Sequence, residues 1–198
     1  GQNTTGAHNV AMGHVALNAN TTGEDSVAVG GNSLAANTTG ASNNAVGYNA
    51  LGANTTGTEN TAVGYQALNS NVTSIQNTAI GNEALLSNTA SANTAVGNRA
   101  LRQNTAGTGL VAVGAGALQS NSVGTRNTSI GQSALFNNLS GSNNTAVGNS
   151  ALSNNSTGQR NIAIGANADV LSNNLTNAIA IGYNAKVGVS NAMVLGGT

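Results

Sequence analysis

The chain carries few side chains that can do chemistry, and they are widely spaced. Its only histidines are His8 and His14. In a symmetric assembly they would form rings able to hold a metal, but their spacing matches no standard ligand motif, so solvated side chains are expected and no metal site is assigned. Glu24-Asp25 is the only adjacent acidic pair. Paired-carboxylate hydrolysis needs two carboxyl groups converging across about 5–10 Å, and neighbours on one strand point to opposite sides. Loop sites for calcium need recurring Asp, which the sequence lacks. Tyr48, Tyr65 and Tyr183 all follow a glycine at the same point of a repeat, and Phe136 follows Leu135. Exposed aromatics on a polar surface stack on sugars or partner chains, so Tyr48 and Tyr65 are the candidate ligand contacts. Asn20, Asn37, Asn54 and Asn174 begin Asn-X-Ser/Thr sequons; they coincide with repeat turns, which explains them without glycosylation. Thr61, Thr78 and Thr94 would line an ice- or polysaccharide-binding face, but the same column holds Val10, Val27 and Val111.

The bulk composition argues in the same direction. The net charge is zero, 5% of residues are charged and 2% are aromatic, where an ordinary domain is about 25% charged. The acidic residues are Glu24, Asp25, Glu59, Glu83 and Asp169; the basic ones are Arg99, Arg102, Arg126, Arg160 and Lys186. That is too little for an enzyme cleft, a nucleic-acid footprint or a polybasic membrane patch. No catalytic residue and no cofactor is assigned. With no Cys, disulfides, thiolate metal sites and Cys nucleophiles are excluded. No apolar run is long enough for a transmembrane helix, so no membrane insertion of this segment is expected. The chain starts in mid-pattern at Gly1, which reads as a processed or excised form.

What positions these residues is a repeat. Anchor glycines fall at Gly13, Gly30, Gly47, Gly64, Gly81, Gly97, Gly114, Gly131, Gly148, Gly165, Gly182 and Gly196, 17 residues apart except for one interval of 16 (Gly81 to Gly97) and one of 14 (Gly182 to Gly196). An aliphatic residue precedes each: Met12 at the first, Leu195 at the last, and Val29, Val46, Val63, Ile80, Val96, Val113, Ile130, Val147, Ile164 and Ile181 between. Ala stands three residues after the glycine, with Ser33 the exception; Leu follows in nine repeats, and Asn comes seven after the glycine from Asn20 to Asn155. Repeats on this scale mark solenoids.

The expected fold is all-β, a parallel β-solenoid of about twelve coils. Each coil would hold two short extended pieces, one at Thr61-Ala62-Val63 and one around Ala67-Leu68, joined by turns at Gly64 and at Asn-Thr-Thr-Gly. Helical repeats are disfavoured because no stretch sustains the i, i+3, i+4, i+7 pattern. Antiparallel hairpins are disfavoured because Asn-Gly turns are missing. Regular coils are expected over 1–165, and irregular terminal coils, a transition or cap, over 166–198, where Asp169 and Lys186 replace the Leu. Val29, Val46, Val63, Ile80, Val96, Val113, Ile130, Val147, Ile164 and Ile181 are expected to fill the interior, with the Ala and Leu columns facing partner chains. Partners are expected because so few large aliphatic side chains per coil do little to offset the entropy of ordering 17 residues.

The phrases Asn177-Ala-Ile-Ala-Ile-Gly182 and Asn161-Ile-Ala-Ile-Gly165 resemble the head repeats of trimeric autotransporter adhesins, the YadA-like heads, and the longer repeat form is similar to repeats in tail-fibre proteins. The resemblance covers nearly the whole chain. It implies a left-handed parallel β-roll, a homotrimer around a threefold axis, an extracellular, cell-surface or virion-fibre location, and attachment to a host glycan or matrix protein. The chain departs from the adhesin pattern in its 17-residue coils. The expected function is thus a non-catalytic structural and adhesive fibre segment of a trimeric surface adhesin or tail fibre. The alternative is a dedicated ice- or polysaccharide-binding solenoid.

Overall fold

A computed structural model of the chain describes residues 2–196; positions 1, 197 and 198 of the expected segments lie outside them. The repeat phrase before each anchor glycine forms a three-residue strand: β1 (Val10–Met12), β2 (Val27–Val29), β3 (Asn44–Val46), β4 (Thr61–Val63), β5 (Thr78–Ile80), β6 (Thr94–Val96), β7 (Val111–Val113), β8 (Thr128–Ile130), β9 (Thr145–Val147) and β10 (Ile162–Ile164). The last stretch adds β11 (Asp169–Val170), β12 (Ile179–Ile181), β13 (Lys186–Val187) and β14 (Met193–Leu195). Twelve of these make one parallel sheet in the order β1 to β10, then β12 and β14; β11 and β13 pair separately, also parallel. Register never slips: Ala62 pairs with Ala45 and Ala79, and Val63 with Val46 and Ile80. The chain is a parallel β-solenoid with one coil per repeat.

The inside and the outside of the coil are the reverse of the sequence expectation. From β2 to β10 and in β12 the central residue, Ala or in β8 Ser129, is fully buried, as from the second coil on are the Ala three after the glycine and, where present, the Leu that follows it; Ala62, Ala67 and Leu68 all have zero exposure. Val46, Ile80, Val113, Ile130 and Ile164 lie on the outer face, 37–42% exposed. Val29, Val63, Val96, Val147 and Ile181 share that face and are half-buried. None of these ten residues fills the interior, and the Ala and Leu columns do. The reason is width. A coil this narrow has room for a methyl group opposite a Leu, whereas a second branched side chain would overfill it. Strand alternation then sends both neighbours of the inward Ala outward.

The second extended piece also differs. Ala67-Leu68 is a turn, and all nine repeat leucines from Leu17 to Leu152 adopt left-handed backbone, with φ between 48° and 53°. This conformation costs an L-residue with a Cβ about 1–2 kcal/mol. Burying the Leu side chain contributes about 1.5–3 kcal/mol, so the packing outweighs the strain. Only in the last two coils, where Asp169 and Lys186 take the place of Leu, is the second piece a strand.

Two buried Asn columns hold the turns. In one, Asn37 Nδ2 donates to the Gly40 carbonyl in its own turn (2.9 Å) and to Oδ1 of Asn20 one coil back (2.9 Å); Asn54 repeats this on Gly57 and Asn37 (3.0 and 2.8 Å). In the other, Asn60 Oδ1 accepts the Asn77 backbone N–H (3.0 Å) and its Nδ2 donates to the Ser74 carbonyl (2.9 Å). These amides satisfy backbone groups that a turn-rich interior would otherwise leave without partners. The 16-residue coil interrupts the first column. Asn88 Nδ2 turns to the Ala90 carbonyl (2.6 Å), and Asn71 Oδ1 becomes the one buried side-chain polar atom among the described residues with no hydrogen bond.

Candidate interaction surface

The outward face of the long sheet carries two side-chain columns. The column just before the anchor glycines is aliphatic in all twelve strands of that sheet, from Met12 to Leu195. The other is mixed, running through Val27, Asn44, Thr61, Thr78, Thr94, Val111 and Ile162. Coils spaced about 4.8 Å apart make the aliphatic column a continuous stripe along the rod. Apolar patches beyond a few hundred Å² mark interaction sites. The irregularity of the second column departs from the regular Thr array that ice binding requires. A second set of threonines lies in the Asn-Thr-Thr-Gly turns, where hydroxyls are tied to backbone: Thr21 Oγ1 donates to the Thr38 carbonyl (3.0 Å) and Thr38 Oγ1 to the Thr55 carbonyl (3.1 Å).

The residues singled out for chemistry are scattered. His8 Nδ1 lies 3.2 Å from Asp25 Oδ1 in the next coil, and both are exposed. Glu24 is exposed beside Asp25. Among the described residues no three His, Cys, Asp or Glu side chains converge. Glu83 is held by Arg102 Nε (2.7 Å) and Arg99 Nε (3.0 Å). The Arg102 hydrogen bond, with desolvation opposing it and Arg99 adding to it, keeps the Glu83 carboxyl below its ordinary pKa. Asp169 is buried, accepting from Ser153 Oγ (3.1 Å) and the Val170 N–H (2.8 Å), with Lys186 Nζ at 3.8 Å. Burial pushes its pKa up despite the backbone N–H and the ammonium. Charge is segregated along the rod: residues 2–90 hold Glu24, Asp25, Glu59 and Glu83 and no Lys or Arg, while every Lys and Arg falls after them.

The tyrosines divide. Tyr48 and Tyr65, on adjacent coils, stack with centroids 5.8 Å apart and planes 13° from parallel. Each is about half exposed. Tyr183 is 68% exposed. Phe136 is half-buried, with its ring over Gly116. Of the sequons, Asn20, Asn37 and Asn54 have fully buried side chains committed to the ladder, while Asn174 is exposed.

Sequence reasoning missed three left-handed columns: the Leu, the residue two after the anchor glycine (Asn32, Asn49, Gln66) and the residue five before it (Asp25, Glu59, Arg126). A partial signal exists for the last two. Asn167 and Asn184, Gly116 and Gly109 occupy them in other coils, and these types tolerate positive φ. The Leu column has no such signal. No family model, curated protein or solved structure matches the chain.

Proposed function

We propose that this chain is a structural and adhesive fibre segment that works as a homotrimer on the outside of a cell or virion and mediates attachment. The observation that carries the proposal is the unbroken outward aliphatic stripe. Nine coils bury a Leu of their own, yet the strand before each anchor glycine presents a further aliphatic side chain outward, and that column never lapses across the twelve strands of the sheet. Selection for solubility alone gives no reason to retain it, whereas burial against two further copies does. A rod of roughly 55 Å, at about 4.8 Å per coil, in which no three His, Cys, Asp or Glu side chains converge among the described residues, suits spacing and weak repeated contact better than catalysis. The resemblance of Asn177–Gly182 and Asn161–Gly165 to YadA-like head repeats supports the same reading.

Association of this kind makes stability depend on concentration. The melting temperature is expected to rise with protein concentration, and the dependence to vanish in a variant carrying Ile80→Asp and Val113→Asp, both outward-facing. A concentration-independent melt of the native chain would remove the support for a trimer. Attachment through the segment is then tested with fibre-coated beads on host glycan and matrix-protein surfaces.

A further inference from the structure

We infer that the strip of side chains running from Asn32 to Arg99, just past the anchor glycines of five consecutive coils, binds a neutral, linear, β-linked polysaccharide lying parallel to the rod. The inference rests on the attachment reading for its purpose and on its own geometry for its site. Tyr48 reaches back across the preceding coil. Its hydroxyl is 3.4 Å from Asn32 Nδ2, and a Cβ on Gly31 would sit 3.3 Å from its ring carbon. The missing side chain at Gly31 leaves the space that this ring occupies. Tyr65 stacks on Tyr48 in turn. The two rings are fixed by packing yet about half exposed, which offers rigid aromatic surface at little entropic cost.

Beyond the rings the same strip is polar. Gln66 is half-buried at the edge of Tyr65, and in the next coils Glu83 and Arg99 hold each other at 3.0 Å. An aromatic step followed by amide, carboxylate and guanidinium groups supplies stacking for sugar C–H faces and both donors and acceptors for hydroxyls. The strip advances one coil per about 4.8 Å, close to the length of one pyranose in an extended β-linked chain, so successive sugars meet successive coils. Charge selects the class. Between Asn32 and Gln66 the strip's own side chains are uncharged, and beyond them the Glu83 carboxylate occupies the Arg99 and Arg102 guanidiniums, so the rings have no uncommitted cation beside them to draw a polyanion. Tyr183 is an internal control: it occupies the same repeat position, but its neighbour one coil back is Ala166, and among the described residues no ring stacks on it.

Affinity electrophoresis through gels containing hydroxyethyl cellulose, with hyaluronan gels and polysaccharide-free gels alongside, tests this. The native chain is expected to be retarded by the neutral glucan and not by hyaluronan. Tyr48→Ala and Tyr65→Ala should each weaken retardation about tenfold, Tyr65→Trp should restore it, and Tyr183→Ala should leave it unchanged. Circular dichroism on each variant confirms that the fold is intact. No retardation of the native chain, equal retardation of a Tyr48→Ala/Tyr65→Ala chain, or stronger retardation in hyaluronan overturns the inference. The solution mass of the same samples separates the two readings: a native trimer that ignores the glucan loses the glycan strip and keeps the fibre.

Discussion

The coils up to Gly165 and the two that follow solve one packing problem in two ways. In the regular coils the chain turns inward through a left-handed Leu, and an Asn ladder pins the turn. In the terminal coils the same stretch straightens into β11 and β13, where Val170 and Val187 point inward in place of Leu. The Asn column stops at Asn155, because Ser172 and Val189 stand where the next two amides would be. The substitution of Leu by Asp169 and Lys186 accompanies the change. Neither of these side chains repays left-handed backbone by burial in an apolar interior, so the strand is preferred there. A strained turn persists only while a large apolar side chain and a hydrogen-bonded amide hold it. When both are withdrawn, the coil reverts to plain extended structure; the first such coil keeps 17 residues, and the second, between Gly182 and Gly196, has 14.

The largest expected break in this comparison comes at the anchor glycines. A Cβ at Gly64 would fall inside contact distance of the Gly81 carbonyl oxygen, on backbone with φ of 135°, whereas at Gly196 it meets nothing within 4 Å. Gly64→Ala should therefore cost more than about 4 kcal/mol, beyond the ordinary range for a point change, and Gly196→Ala about 1 kcal/mol; chemical denaturation reads both. Next come the inward apolar residues. Leu85→Ala should lose about 2–5 kcal/mol, while Val187→Ala, a smaller truncation at the end of the rod, should lose less.

Asp169 sharpens the comparison through pH. Burial holds its folded pKa above the ordinary aspartate value, so between that value and the raised one the folded chain binds more protons than the unfolded chain. Stability should then fall as pH rises through that window, with the cost fully present above the raised pKa. Asp169→Asn should flatten this part of the profile, and hydrogen exchange across β11 and β13 is the place to see it. The smallest effect concerns the 16-residue coil. Inserting a threonine between Thr89 and Ala90, with Ala90→Gly, restores the 17-residue turn and gives Asn71 Oδ1 a donor. It should add about 1 kcal/mol, seen as a small rise in melting temperature.

Much of this was legible beforehand. The period of the glycines set the coil and its parallel register. Which side of the strand faces inward was not legible. In Thr61-Ala62-Val63 alternation allows either face, and hydrophobicity favours Val63; only the narrowness of the interior, a property of the closed coil, selects Ala62. Nor did Leu68 announce its left-handed backbone, since the packing that stabilises it is made by Leu51 and Leu85 in neighbouring coils. For the surface, the shared repeat position of Tyr48 and Tyr65 was visible. The stacking, which depends on the absent side chain at Gly31, was not.

The central claim is that the outward aliphatic stripe is covered by further copies of the chain. Light scattering on the purified protein in dilute solution tests it most directly. A mass near three times 19.2 kDa is the predicted result; a folded β-rich species at 19.2 kDa would contradict it.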